Sequence, residues 1–423
     1  MKKKISKFLR VLGPGFITGA SDDDPSGIAT YSQAGAQFGY GQLWTAPFSF
    51  PFMATIQEMC GRIGIVSGKG LSGVIRDHYS KKILYFAVSL LFLANVINIG
   101  ADLGAMAASA QLIFGIPFIA WLLFFSALII FLEIFLKYKT YARVLKLLTF
   151  SLFSYVIAAF VVRQNWGEVF KSTIIPSFSL EKGYILNIVA ILGTTISPYL
   201  FFWQSDEEAE EENIKHKVIA TGKGIPRLSR RMIREMRLDT IVGMFFSNLV
   251  MFFIIILTGS TLYSAGIRNI ETAQQAAEAL RPVAGNFAFL LFVAGIIGVG
   301  FLAVPILSGS ASYALSEAFS WKVSLNMRFS KAHKFYLIIV IATLFGILIN
   351  LLSVPPFKML YYSAVINGLC APPLLILIMK VSNNKKIMGD YTNSSLSNVM
   401  GIATVVIMTT ASLALILSFS GII

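Results

Sequence analysis

Cysteine, histidine and charge are all scarce in this chain, and each scarcity excludes something. The 423 residues include two cysteines, Cys60 and Cys370, both in apolar runs. Neither a disulfide framework nor a cysteine-based metal motif fits that pattern. The three histidines, His78, His216 and His333, fall in polar segments, so no metalloenzyme histidine cluster is available. Only 13% of the residues are charged and 56% are hydrophobic, with a mean hydropathy of +0.73. A soluble domain carries about 25% charged residues. The chain reads as an all-α polytopic membrane protein forming one transmembrane domain over 1–423.

What charge there is runs positive, +14 net, which by itself would suit nucleic-acid binding. Its distribution argues otherwise. A spanning helix needs about 20 mostly apolar residues. Eleven such segments are expected, near 11–39 (broken at 22–27), 43–66, 83–113, 116–136, 144–162, 184–204, 239–262, 287–317, 335–353, 357–379 and 398–421. With the N-terminus in the cytoplasm and the C-terminus outside, 29 of the 35 basic residues fall on the cytoplasmic side. That is the positive-inside pattern, so the basic excess is a topology signal and no nucleic-acid partner is expected. Met1-Lys2-Lys3-Lys4 resembles the start of a signal peptide. The apolar stretch after it is interrupted by aspartates and lacks a small-residue cleavage site, so it reads as a retained first helix.

That interruption is the richest segment of the chain: Gly19-Ala20-Ser21-Asp22-Asp23-Asp24-Pro25-Ser26-Gly27-Ile28. Carboxylates in hydrocarbon are costly and usually face a wet cavity with a function. A helix break frees backbone carbonyls, which is tolerable only where protein encloses them. Acid and bare carbonyls at one depth make a cation site, with Asp24, beside Pro25, at its centre. Asp22 and Asp23 read either as part of that cavity or as markers of the helix's aqueous end.

The sixth span carries a matching break, Gly193-Thr194-Thr195-Ile196-Ser197-Pro198-Tyr199. Broken helices in corresponding positions of two halves point to a transporter built from inverted repeats. The repeats are expected at 11–162 and 184–379, with 398–421 an added helix. Five spans is an odd number, so inversion follows from the count.

Other polar residues carry weaker signals. Asp206-Glu207-Glu208-Ala209-Glu210-Glu211-Glu212, followed by basic residues around Arg227 to Arg237, reads as a solvated cytoplasmic loop with an amphipathic basic helix. A cation antechamber or gate is the functional alternative. Glu58 and Arg62 are one helical turn apart and expected to pair. Glu133 reads as interfacial. Gly295, Gly298 and Gly300 suit close helix packing.

Taken together, these motifs resemble the Nramp family of divalent-metal transporters. Gly13-Pro14-Gly15-Phe16 leading to Asp24-Pro25-Ser26-Gly27 and Gln33-Ala34-Gly35-Ala36-Gln37-Phe38-Gly39-Tyr40 is similar to its first helix. Ile65-Val66-Ser67-Gly68-Lys69-Gly70-Leu71 with Arg76-Asp77-His78-Tyr79, and Asn367-Gly368-Leu369-Cys370-Ala371-Pro372, extend the likeness over most of the chain. The resemblance implies a LeuT-like fold and alternating access.

The departures are informative. The family's Asp-Pro-Gly-Asn is Asp24-Pro25-Ser26-Gly27 here, and its Met-Pro-His is Ser197-Pro198-Tyr199. Asp24 is kept, while the ligating Asn becomes Gly27 and the soft Met becomes Ser197. Oxygen ligands suit magnesium, calcium and manganese, and magnesium often keeps several waters. The loss of Asn and Met is expected to enlarge the site for a hard, partly hydrated cation, similar to the family's magnesium-transporting branch. The metal set implied is Asp24, Ser26, Gly27, Thr194 and Ser197. Asp22, Asp23, Asn98, Asp102, Tyr199, Gln204 and Asn367 are candidates for the surrounding cavity.

Proton-coupled relatives carry Asp-x-x-Glu on the third helix and histidines on the sixth. Here those positions are Asp102, Ala105, Tyr199 and Gln204. Histidine is the natural shuttle near neutral pH, so little or no proton coupling is expected. Asn98 is a candidate partner for Asp102.

The leading expectation is an importer of magnesium or manganese, without a resident cofactor, working as a monomer in a prokaryotic inner membrane. A proton-coupled manganese or iron importer is the alternative. So is an organic solute carrier walled by Tyr199, Phe201, Phe202 and Trp203. An enzyme resembling Asp-rich prenyl-transferring proteins would need a second acidic motif in an apolar span, and none is there.

Overall fold

A computed structural model describes residues 13–136, 153–214, 229–281, 285, 288–325, 327, 329–352 and 354–420. Among the described residues the chain is helical and contains no strand. The helices are α1 Pro14–Asp22, α2 Pro25–Phe38, α3 Thr45–Ser67, α4 Leu71–His78, α5 Lys81–Phe114, α6 Phe118–Phe135, α7 Phe153–Val161 and α8 Trp166–Ile174. They continue with α9 Lys182–Thr195, α10 Pro198–Ile214, α11 Arg230–Thr258, α12 Ala273–Ala277, α13 Ala288–Ala318, α14 His333–Ile349, α15 Pro356–Ser382, α16 Lys385–Met388 and α17 Ser395–Phe419.

Eight helical stretches among the described residues are long and apolar enough to cross a membrane, counting α9 with α10 as one. They coincide with eight of the eleven expected spans. The first expected span is the broken pair α1–α2, and the second is α3. The first part of the fifth, 144–152, lies outside the described residues, as does His216. Leu396, Val399, Ile402 and Val406 on α17 are exposed, as are Leu123, Phe124 and Phe131 on α6. Such apolar outer faces suit a hydrocarbon surround rather than water.

Both breaks have local causes. Proline lacks an N–H and clashes with the preceding turn, so it starts helices and ends those before it. Pro25 opens α2 with Asp24 as N-cap, and Asp23 closes α1. Pro198 opens α10 directly after Ile196 closes α9.

Two devices fix α1 on the long helix α11. Gly19 and Gly243 bring the backbones so close that a Cβ on Gly19 would lie 2.2 Å from the Gly243 carbonyl carbon. The Asp239 carboxylate also accepts from the amides of Gly13 (2.9 Å), Gly15 (2.8 Å) and Phe16 (3.2 Å). A carboxylate there satisfies orphan donors and complements the helix dipole. Similarly, Gly193 and Gly368 let α9 lie directly on α15. Gly300 on α13 sits against Met106 of α5, in keeping with its expected packing role.

The acidic run departs from expectation. Residues 205–214 continue α10 rather than forming a loop, and Asp206, Glu207 and Glu208 are buried. Tyr313 donates to Glu210, and Gln204 Nε2 donates to Glu208 Oε1 at 3.0 Å. A like-charge run reads as solvated because isolated carboxylates want water. Here Tyr313 of α13 and Gln204 of α10 itself supply donors instead. The basic run from Arg230 likewise opens a long spanning helix. Glu133 is buried too, accepting from Ser308 Oγ at 2.8 Å, so it is not interfacial.

Candidate cation site at the paired helix breaks

Asp24 sits where the two broken helices meet. As N-cap of α2 its Oδ1 accepts from Gly27 N at 2.7 Å and Ser26 Oγ at 2.6 Å. Its Oδ2 accepts from Asn98 Nδ2 of α5 at 2.9 Å, with Tyr199 Oη of α10 at 3.5 Å. Tyr199 also donates to the Ser21 carbonyl at 2.8 Å, tying α10 to the end of α1. Asn98 in turn accepts from Ser363 Oγ of α15 at 2.7 Å. One carboxylate is thus positioned by α2, α5 and α10, and through Asn98 by α15.

The second break presents its own oxygens to the same place. Ser197 Oγ donates to the carbonyls of Gly193 (2.7 Å) and Thr194 (2.8 Å), the last of α9. A Cβ on Gly27 would lie 3.2 Å from both the Thr194 hydroxyl and the Asp22 carbonyl. Gly27 therefore marks the contact between the breaks. The Tyr31 and Thr194 hydroxyls are both buried at this junction and neither has a hydrogen-bond partner. Asp24, Ser26, Thr194 and Ser197 are each at most 1% exposed, so the site is buried.

The Gly27 geometry corrects one expectation. Loss of the family's Asn does not leave open space at residue 27. The Tyr31 ring, 3.3 Å from that Cβ position, and Thr194 fill it.

Asp22 and Asp23 are buried, which excludes the aqueous-end reading. Both carboxylates face the single Ser247 hydroxyl of α11, and Asp22 Oδ1 has no partner. Asp102 lies on the same face of α5 as Asn98, one turn on. Neither of its oxygens has a hydrogen-bond partner, because Asn98 is committed to Asp24 and Ser363 instead. Asn367 is buried one turn beyond Ser363 on α15, with both amide atoms unpartnered. Gln204 is not part of the cluster, since it turns to Glu208 and packs against Gly61. Phe201, Phe202 and Trp203 pack into the apolar core, so they do not wall a pocket. Glu58 pairs with Arg62 at 3.1 Å as expected, and also with Arg237 at 2.9 Å.

Among the described residues no three His, Cys, Asp or Glu side chains are arranged to hold a metal together. The donor set at the breaks is one carboxylate, hydroxyls and carbonyls. Sequence reasoning missed Tyr31, Ser247, Ser363 and Asp239. Only Asp239, an acid at the start of an apolar span, carried a signal that could have been used.

Two helices broken at one buried point, with an acid at their junction, define the class: a membrane transporter of LeuT-like fold. A manganese transporter of Eremococcus coleocola superposes with a TM-score of 0.79 at 18% identity, covering 98% of this chain and 87% of that one. The inward-facing Mhp1 structure gives 0.53 at 14% identity, over 97% and 91%. The family model described as natural resistance-associated macrophage protein-like matches residues 15–418. The chain belongs to the Nramp family. Similar relatives include proteins named divalent metal cation transporter MntH. That of Caldanaerobacter subterraneus is 23% identical over 407 residues (94% of this chain, 90% of the relative). That of Listeria innocua is 26% identical over 408 residues (92% and 86%). These relatives are transporters rather than enzymes.

Proposed function

We propose that this chain imports a hard divalent cation, magnesium before manganese, by alternating access around Asp24. The observation that carries the reading is the donor set. Asp24 meets only oxygen and amide neighbours, and neither break contains a methionine or histidine. Hard oxygen donors suit magnesium and manganese, whereas a thioether would favour softer metals. The ligands would be Asp24, the Ser26 and Ser197 hydroxyls, the Thr194 hydroxyl and carbonyls at Gly27 and the two break ends. Asp22, Asp23 and Asn367 supply charge and polar atoms around them. The repeats 11–162 and 184–379 would rock about this point, with 398–421 outside the motion. The protein would work as a monomer in a prokaryotic inner membrane.

Uptake needs no proton. The membrane potential contributes about 2.3 kcal/mol per charge per 100 mV, hence roughly 4.6 kcal/mol for a divalent ion. That supports a concentration ratio above a thousandfold. Ala105, Tyr199 and Gln204 stand where the family's titrating groups would be.

One observation favours a second reading, a proton-coupled manganese importer. Asp102 is buried with no partner on either oxygen, the state of an acid able to hold a proton. Uptake into proteoliposomes under a fixed negative-inside potential, with internal pH recorded, separates the two. Magnesium entry without proton entry is expected. Manganese entry with protons, and no magnesium entry, would overturn the first reading.

A further inference from the structure

A second pair of carboxylates converges about two turns along α10 from the second break. Asp206 on α10 and Glu317 near the end of α13 both lie against Gly70, the residue that precedes α4. Asp206 Oδ1 lies 1.7 Å, and Glu317 Oε2 2.7 Å, from the point a Cβ on Gly70 would occupy. Only glycine leaves room for both acids there. The two oxygens are close enough for one ion with metal–oxygen distances of about 2.0–2.6 Å to bridge them.

The surroundings treat the two acids differently. Glu317 is held by amides, with Gly70 N at 2.8 Å on Oε1 and Gly73 N at 2.7 Å on Oε2. Asp206 is 3% exposed and its Oδ2 has no partner. Among the described residues, the charged groups facing Asp206 are the carboxylates of Glu317, Glu207 and Glu210. Lys69 and Arg76 lie close enough to act on Glu317, Arg76 also donating to the Glu317 carbonyl, and both are paired with Asp77. Partial burial raises the Asp77 carboxyl, and those two cations more than offset it, holding it below the usual carboxylate range. A buried carboxylate with no cation beside it among the described residues is unfavourable, and a bound cation would offset that.

We infer that Asp206 and Glu317 form a second divalent-cation site at the cytoplasmic mouth, separate from the cargo site. An ion there bridges α10 to α13 against the start of α4. These are the inner half of a broken helix and two elements it packs on, so the bridge holds the mouth shut. Cation accumulating in the cytoplasm would slow its own uptake. The inference does not depend on which ligands surround Asp24.

Binding of Mn2+ to the purified full chain, followed by loss of the free-ion paramagnetic resonance signal, tests it. Two ions per wild-type chain are expected, and one each for Asp206→Asn and Asp24→Asn. In vesicles with the cytoplasmic face inside, millimolar lumenal magnesium should slow wild-type uptake several-fold. Asp206→Asn should be several-fold less inhibited, with an unchanged rate when the lumen is metal-free. Glu317→Gln, which keeps an acceptor for the α4 amides, should behave alike and guards against a folding defect. Equal stoichiometry and equal inhibition in wild type and Asp206→Asn would overturn the site. So would a pH-dependent rate lost in Asp206→Asn without loss of an ion, since the acids would then share a proton. Failure of the Asp24 assignment alone leaves the Asp206-dependent ion in place.

Discussion

The two helix breaks do the same geometric task with opposite chemistry. The first concentrates charge: Asp22, Asp23 and Asp24 lie in consecutive positions, and Asp24 caps its own helix. The second is neutral, and its Ser197 hydroxyl turns back on the carbonyls that end α9. A second charged break would repel the first at this range, since like charges in a buried setting interact by several kcal/mol. A neutral one can approach until Tyr199 reaches the Ser21 carbonyl. Under the proposed function the first break would attract the ion and the second would complete its oxygen shell.

The largest test of that division is Asp24→Ala. Asp24 holds four polar neighbours from three helices. Its removal should abolish uptake of magnesium and manganese alike. Loss of the N-cap should cost about 1 kcal/mol of stability, so the variant should remain folded by size-exclusion profile and melting temperature. Full activity would break the assignment. Asp22→Asn makes the comparison sharper, because Asp22 shares only the Ser247 hydroxyl with Asp23. It should keep part of the activity with a raised KM.

The neutral break is tested by Ser197→Met, which restores a thioether. Selectivity for manganese over magnesium, measured as the ratio of kcat/KM values, should rise about tenfold through the softer donor. Because Ser197 Oγ serves two carbonyls, a loss of about 1 kcal/mol in stability should accompany it. An unchanged ratio in a folded protein would defeat the softness argument.

How much of this was legible in the sequence follows from the range of each interaction. The breaks were legible because proline and aspartate inside apolar runs are local anomalies. The all-helical architecture was legible from hydropathy, although eight stretches rather than eleven meet the length and apolarity of a span among the described residues. The partners of the site were not. Ser363 acts on Asn98 from 265 positions away, and Ser247 acts on Asp22 from 225. A serine in an apolar helix has no local signature, since its hydroxyl can satisfy the carbonyl three or four residues back. The burial of Asp206, Glu207 and Glu208 was hidden for a related reason. Nothing in an acidic run announces the Tyr313 hydroxyl that another helix brings to it.

Tyr31 is the finest probe of the comparison, because it belongs to the charged break but faces the neutral one. Its hydroxyl is buried without a hydrogen-bond partner, as is that of Thr194, and its ring fills the space beside Gly27. Tyr31→Phe keeps the ring and removes one oxygen. If the two hydroxyls complete the ion's shell together, magnesium KM should rise about two- to threefold with kcat nearly unchanged. Removing an unsatisfied buried hydroxyl should leave stability equal or slightly higher. Tracer uptake across a concentration series, with melting temperature alongside, reads both quantities. A fall in stability with unchanged KM would make Tyr31 a packing residue, and would leave the junction between the breaks to Asp24, Ser197 and Thr194 alone.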